Sequence, residues 1–420
     1  MRLTRRKLLA SAAGVAVGGA AVAVAVEQGG GGSRPVADLV ALGPQPAGLP
    51  ARQHAWTETL ARDEYGNPVA PRFDRLLFYD LAGAPAPADA RALEAVLRAL
   101  ERAYAWGPRG LLFTAGWGPG YFERGLGVAS PVERPQSLSS FELPTLDDYD
   151  LCLHLACDNE ERIAAVEAAL VRGERLPAVK GSLELGAGLR WRETRTGFVG
   201  AGLPAHHQNV GGIPPGNPVP ASSPLFMGFK SGLRKNQATE DYVTIADGPF
   251  AGGTTMQVSY MRLRLDSWYG MLDEPGRVAR MYSPETTPEQ VKHFTTDAES
   301  EPNLTDQAAN RYGVIGHSQT SARARRGGKP LIIRRDFNTV DGGEAGLHFV
   351  SVQRSIHDFI TTRNAMNASH AQLENPSITP TINNGINEFI FVERRANYIL
   401  PTRTDRSFPL LAGRSFSRPT

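Results

Sequence analysis

The strongest constraint in this chain is a repeated switch of hydrophobic period between residues 75 and 192. Arg75–Asp80 reads as a short strand. From Pro87 the period becomes helical, with Leu93, Val96, Leu97 and Leu100 at i, i+3, i+4 and i+7. Pro87 suits a first helical turn, and Asp89 places negative charge at its positive end. Gly107-Pro108 breaks the helix and Leu111–Ala115 starts a second strand. Leu151, Leu153 and Leu155 alternate, so Asp150–Cys157 is a third strand. Asp158 or Asn159 caps the helix that follows, whose apolar face is Ile163, Val166 and Leu170. Leu189–Arg192 closes the set as a strand. The order strand, helix, strand, strand, helix, strand predicts an α+β fold, with a ferredoxin-like unit over residues 46–205.

A connection rich in Gly, Pro and Ser spans residues 200–225. Thr254–Asp266 then alternates as a long strand, and a parity slip at Tyr260 and Met261 predicts a bulge. Leu331–Ile333 and Leu347–Gln353 read as strands and Ser355–Met366 as a helix. Residues 206–420 are therefore expected to form a second ferredoxin-like unit, with antiparallel sheets and packed helices in both, although no repeat of sequence relates the halves. Ahead of them, Thr4-Arg5-Arg6-Lys7 precedes an apolar run from Ala10 to Val26. This predicts a twin-arginine export signal over residues 1–26 and a periplasmic or extracellular destination. A retained membrane anchor is the alternative, although the run is short against a span of about 20 residues. Residues 27–45, with Gly29-Gly30-Gly31-Gly32-Ser33, read as a flexible linker.

Charge excludes one class of partner. The 45 basic and 43 acidic residues leave a net charge of +2, which argues against nucleic acid. Two cysteines, Cys152 and Cys157, exclude a disulfide framework and read as small core residues. Gly116-Trp117-Gly118-Pro119-Gly120 lacks the spacing of a dinucleotide turn. His206-His207 has no acidic or cysteine neighbours and reads as a loop without metal. Gly316-His317-Ser318-Gln319-Thr320 has two readings. Ser318 could be a hydrolase nucleophile, but the elbow's last glycine is Thr320. Alternatively His317 is the functional residue, eighteen positions before Arg335.

The segment from His317 through Leu331-Ile332-Ile333-Arg334-Arg335-Asp336-Phe337-Asn338 resembles the C-terminal signature of dye-decolorising peroxidases. Gly228-Phe229-Lys230-Ser231-Gly232 resembles that family's Gly-x-x-Asp-Gly element. Phe113–Phe122, Asp150–Leu155 and Met256–Asp266 resemble its other conserved elements, so the resemblance covers most of residues 70–365. It implies haem b held between the sheet and helices of the second unit. His317 would ligate the iron, Arg335 would stabilise charge on the distal side, and Phe349 would line the cofactor. Glu344 is the candidate to orient His317, and Arg334 replaces Arg335 if the register slips by one. The implied reaction reduces H2O2 and oxidises an organic, dye-like donor.

Ser231 departs from the family, which carries an acid there. A hydroxyl is no useful base near neutral pH, and losing a positioned acid–base costs about 10²–10⁴ in rate. Asp241 and Asp247 are possible substitutes. The alternative is a haem-binding protein with little turnover, serving haem or iron handling. A homo-oligomer is also among the expectations. Arg323–Arg326 reads as a solvated face that could reach haem propionates. Trp191, Trp268 and Tyr260 read as core, His348 as a strand residue facing the sheet, and His293, His357 and His370 as surface or helix-face residues.

Overall fold

The computed structural model describes residues 42, 45–64, 66–230, 236–292 and 304–411. The expected export signal, most of the linker, His293 and Ser231 lie outside the described residues. In the first half, β1 (Phe73–Leu81), α1 (Pro87–Ala103), β2 (Leu112–Trp117), β3 (Leu151–Cys157), α2 (Glu160–Arg172) and β4 (Leu189–Phe198) follow one another. Helix α1 opens on Pro87, and the Asp89 carboxylate accepts the Ala86 N–H at 2.9 Å. Helix α2 is capped by the Asn159 side chain, which accepts the Arg162 N–H, and ends on left-handed Gly173. Their expected apolar residues, Leu93 through Leu100 and Ile163 through Leu170, join Leu77, Leu153 and Leu155 in the largest core cluster. The strands are antiparallel in the order β4-β1-β3-β2.

The second half supplies β5 (Thr254–Leu263), α3 (Glu274–Met281), α4 (His317–Ser321), β6 (Ile332–Arg334), β7 (Phe337–Thr339), β8 (Gly346–Gln353), α5 (Ile356–Met366) and β9 (Ile390–Leu400). Its order is β9-β5-β8, with β6 and β7 both paired to β8. The sheet does not divide between the halves. Ile399 pairs with Trp117, joining β9 to β2, and Asn338 pairs with Phe198, joining β7 to β4. Eight strands therefore close into one barrel-like antiparallel sheet with helices outside it, where two separate units were expected.

Strand alternation divides the residues between the two faces. Leu76, Phe78, Cys152, Val258, Val350, Val352 and Tyr398 fill the interior. The bulge expected at Tyr260–Met261 lies on the partner strand, where Glu393 is the extra residue between Val392↔Met261 and Arg394↔Tyr260. Strands β7 and β9 were not expected. Trp191 is 43% exposed rather than core, whereas Trp268 is fully buried. Cys152 and Cys157 are buried and free. No described helix is long and apolar enough to cross a membrane.

Candidate functional site

The outer face of β5, β8 and β9 does not pack directly on the helices above it. Between them lies a cavity of about 140 Å³. Its sheet side is Met261 and Leu263 on β5, Leu347 and Phe349 on β8, and Ile390 and Val392 on β9. Its helix side is Phe359, Thr362, Arg363 and Met366, which recur at i, i+3, i+4 and i+7 on α5. His317 and Ser318 on α4, with Met281 and Tyr282 at the end of α3, close it.

Local backbone constraints place His317. The Ile315 N–H donates to the Asn383 carbonyl, and the Gly385 N–H donates to that of Ile315. Gly316 then caps α4, and the Gln319 side chain accepts its N–H at 2.9 Å. A Cβ on Gly316 would lie 1.8 Å from the Tyr282 carbonyl oxygen, so only glycine brings α4 this close to α3. His317 thus begins a helix at the cavity wall. Its ring makes no hydrogen bond among the described residues. Burial pulls its pKa down to about 3, and the Arg334 and Arg363 cations add to the effect. The imidazole is therefore neutral, with a lone pair to offer.

The cavity's other charged groups are mostly cations. Arg363 and Arg395 share one carboxylate, Glu142, at 2.6 Å and 3.1 Å, which leaves an excess of positive charge. Arg395 reaches this face because of the Glu393 bulge. Residues 390 and 392 face outward, so strict alternation would point residue 394 outward and Arg395 inward. Arg334, Lys230 and Asp336 complete the charged lining, and Asp336 is the one carboxylate on it among the described residues. Leu225, Lys230, Arg334 and Asp336 also line a second, wider and more polar cleft. Among the described residues no three of His, Cys, Asp and Glu converge as a metal site.

Residues 71–402 match the model of a family described as being of unknown function, DUF7405. The chain belongs to that family. No curated protein matches it in sequence. Among solved structures it is similar to a DypB variant from Rhodococcus jostii RHA1 in complex with heme, with TM-score 0.54, 14% identity, and coverage of 85% of this chain and 98% of that one. It is similar also to DyPB of the same organism, at 0.55, 13%, 85% and 97%. A dye-decolorizing protein from V. cholerae gives 0.52, 16%, 84% and 99%. At these identities the likeness is one of fold: this DUF7405 chain has the fold of the dye-decolorizing peroxidases.

Of the residues expected at the site in this DUF7405 chain, the structure brings together His317, Phe349 and Arg334. It does not bring Arg335. Ile333 pairs with Val352, which faces the barrel interior, so Arg335 faces inward too and Arg334 outward. Arg335 instead donates to the His54 carbonyl at 2.5 Å and lies 3.8 Å over the Trp56 ring. Burial lowers its pKa to about 10. Glu344 is also elsewhere. It follows the turn between β7 and β8, is half-exposed, and faces Arg262 at 3.9 Å.

The other expectations divide similarly. Asp241 pairs with Arg52 at the surface and Asp247 is exposed; neither lines the His317 cavity. Of the run Arg323–Arg326, Arg325 caps the Ala322 and Gly328 carbonyls and Arg326 pairs with Asp358, and none of the four lines the cavity. His348 is buried on the interior face beside Tyr260. His207 stacks on Phe198. Ser318 follows His317 on the same short helix, and its hydroxyl makes no hydrogen bond to a histidine among the described residues. Arg363, Arg395 and Glu142 were not foreseen. They converge from three distant segments, and no local spacing marks them.

Proposed function

We propose that this chain is a haem-dependent peroxidase of the dye-decolorising type, reducing H2O2 and oxidising an organic donor. The observation that carries this reading is His317: a neutral imidazole without a hydrogen-bond partner among the described residues, at the wall of an apolar cavity that Arg334, Arg363 and Arg395 also line. That donor set fits haem b, an apolar disk that carries an iron and two carboxylates. His317 would hold the iron. Arg363 and Arg395, sharing one glutamate, would take the carboxylates. Met261, Leu347 and Phe349 would cover the ring faces. Haem bound there would supply the iron and electrons that cleave peroxide. Arg334 would supply fixed positive charge for the departing oxygen, because a guanidinium stays protonated at any working pH.

A titration with haem tests the reading. The full chain should develop a Soret band, and His317→Ala should alter or abolish it. No Soret band in the wild type would overturn the proposal. The second reading, haem binding with little turnover, draws support from Glu344 lying away from the His317 cavity, so that among the described residues no carboxylate bonds the His317 ring. Oxidation of a dye with H2O2 separates the two. We read each half as a ferredoxin-like unit fused into the common sheet. We also retain export by the twin-arginine route, which a reporter fused to residues 1–45 would test.

A further inference from the structure

We propose that Asp336 is the acid–base that moves the peroxide proton, in place of the acid that Ser231 replaces. This rests on the haem reading. Three observations lead to it. Asp336 is the one carboxylate on the His317 cavity wall among the described residues. It stands two positions beyond Arg334, and both line that wall, so a fixed cation and a carboxylate are presented together. Both also line the polar cleft, whose floor includes Trp56, Asp74 and Arg335. Asp336 therefore stands where the wider, more polar cleft meets the apolar cavity. A small polar oxidant would pass that boundary, and a proton carrier is useful there.

The step balances with these residues. The Asp336 carboxylate accepts a proton from the near oxygen of H2O2 and returns it to the far oxygen. The O–O bond breaks and the far oxygen leaves as water. Arg334 stabilises the negative charge on that oxygen until the proton arrives. Over the full cycle H2O2, two protons and two electrons give two waters; the organic donor supplies the electrons, which bound haem would relay. A serine at position 231 then costs less than the family pattern implies, since the carboxylate has moved to the connection that follows the strand carrying the arginine.

The test uses the haem-loaded full chain and two readouts. One is the rate of reaction with H2O2. The other is the rate at which ferric haem takes up cyanide, which enters as HCN and must also give up a proton on the wall. Asp336→Asn should keep the wild-type Soret band, slow the peroxide reaction by about 10²–10⁴ and slow cyanide uptake by on the order of tenfold. Asp336→Glu, which keeps the carboxylate, should slow both less than Asp336→Asn does. Unchanged rates in a haem-loaded Asp336→Asn would overturn the assignment and leave the haem reading standing. A Glu variant as slow as the Asn variant would overturn it too, and carries the test alone if Asp336→Asn does not fold. A wild type that takes up no haem would overturn the reading beneath it.

Discussion

Adjacent arginines at the end of one strand have opposite fates here, and a single residue of parity decides them. Arg334 faces the His317 cavity, while Arg335 faces inward and lies over Trp56. The sequence could not separate them. Ile332 and Ile333 are both apolar, so the strand shows no alternation from which to read which face is buried. Only the pairing of Ile333 with Val352 fixes it. The two should therefore separate in experiment. Arg334→Ala should slow the reaction of the haem-loaded chain with peroxide by roughly 10²–10³, as removal of one charge-stabilising donor does elsewhere, with urea stability close to wild type. Arg335→Ala should instead lose the stacked cation and the bond to His54, costing about 2–3 kcal/mol, with the peroxide rate retained in the folded fraction. Urea melts and rapid mixing would show the split, and the reverse pattern would mean that the strand register is wrong.

At the level of elements, legibility followed period and locality. Helices α1, α2 and α5 carry apolar residues on one face and terminal signals such as Pro87 and Asn159, and all three form where expected. Strand β9 was missed because Glu393-Arg394-Arg395 interrupts Ile390–Leu400 and reads as surface. The bulge resolves that run by sending Arg394 to Asp147 on one face and Arg395 to Glu142 on the other. Helix α4 is only Gln-, Ser- and Thr-rich and has no period to read. Its position comes from contacts far away in sequence, with Tyr282 and Gly385. Gly316→Ala tests that claim. The added methyl group meets the Tyr282 carbonyl, so α4 must move and carry His317 with it. Haem uptake should fall by tenfold or more, roughly the effect of 1.4 kcal/mol or above, while far-UV circular dichroism stays native. Full haem affinity in Gly316→Ala would show that α4 position does not define the site.

Across the whole molecule, the closed sheet depends on two seams that each hold one backbone pair, and both are reinforced by a side-chain amide. Asn338 bridges Phe198, Pro224 and Phe226 at one seam. At the other, the Gln53 amide donates to the Ala115 and Pro401 carbonyls and accepts the Ala115 N–H at 2.8 Å. No period or motif announces these clamps, because each joins segments more than 60 residues apart. His54 stands next to Gln53 and makes the second seam sensitive to acid. Its Nε2 lies 2.9 Å from the Thr244 hydroxyl, which itself donates to the Glu240 carbonyl. Nε2 must then be the donor, and the ring is neutral. Burial, with help from Arg335 and Arg52, lowers its pKa from 6.5 to about 3. A base whose folded pKa is depressed binds its proton in the unfolded chain first. Stability therefore falls as pH drops below 6.5 and continues to fall until about 3, at about 1.4 kcal/mol per pH unit for this one group. Urea melts of wild type and His54→Gln at pH 7, 5.5 and 4.5 measure the difference. The variant starts lower at pH 7 but should lose stability less steeply, by about that amount per unit. Because the sheet is continuous, tryptophan fluorescence and far-UV circular dichroism should report one transition at every pH. Equal slopes in the two proteins would show that His54 does not couple acid to the seam, and separate transitions would show that the halves fold independently.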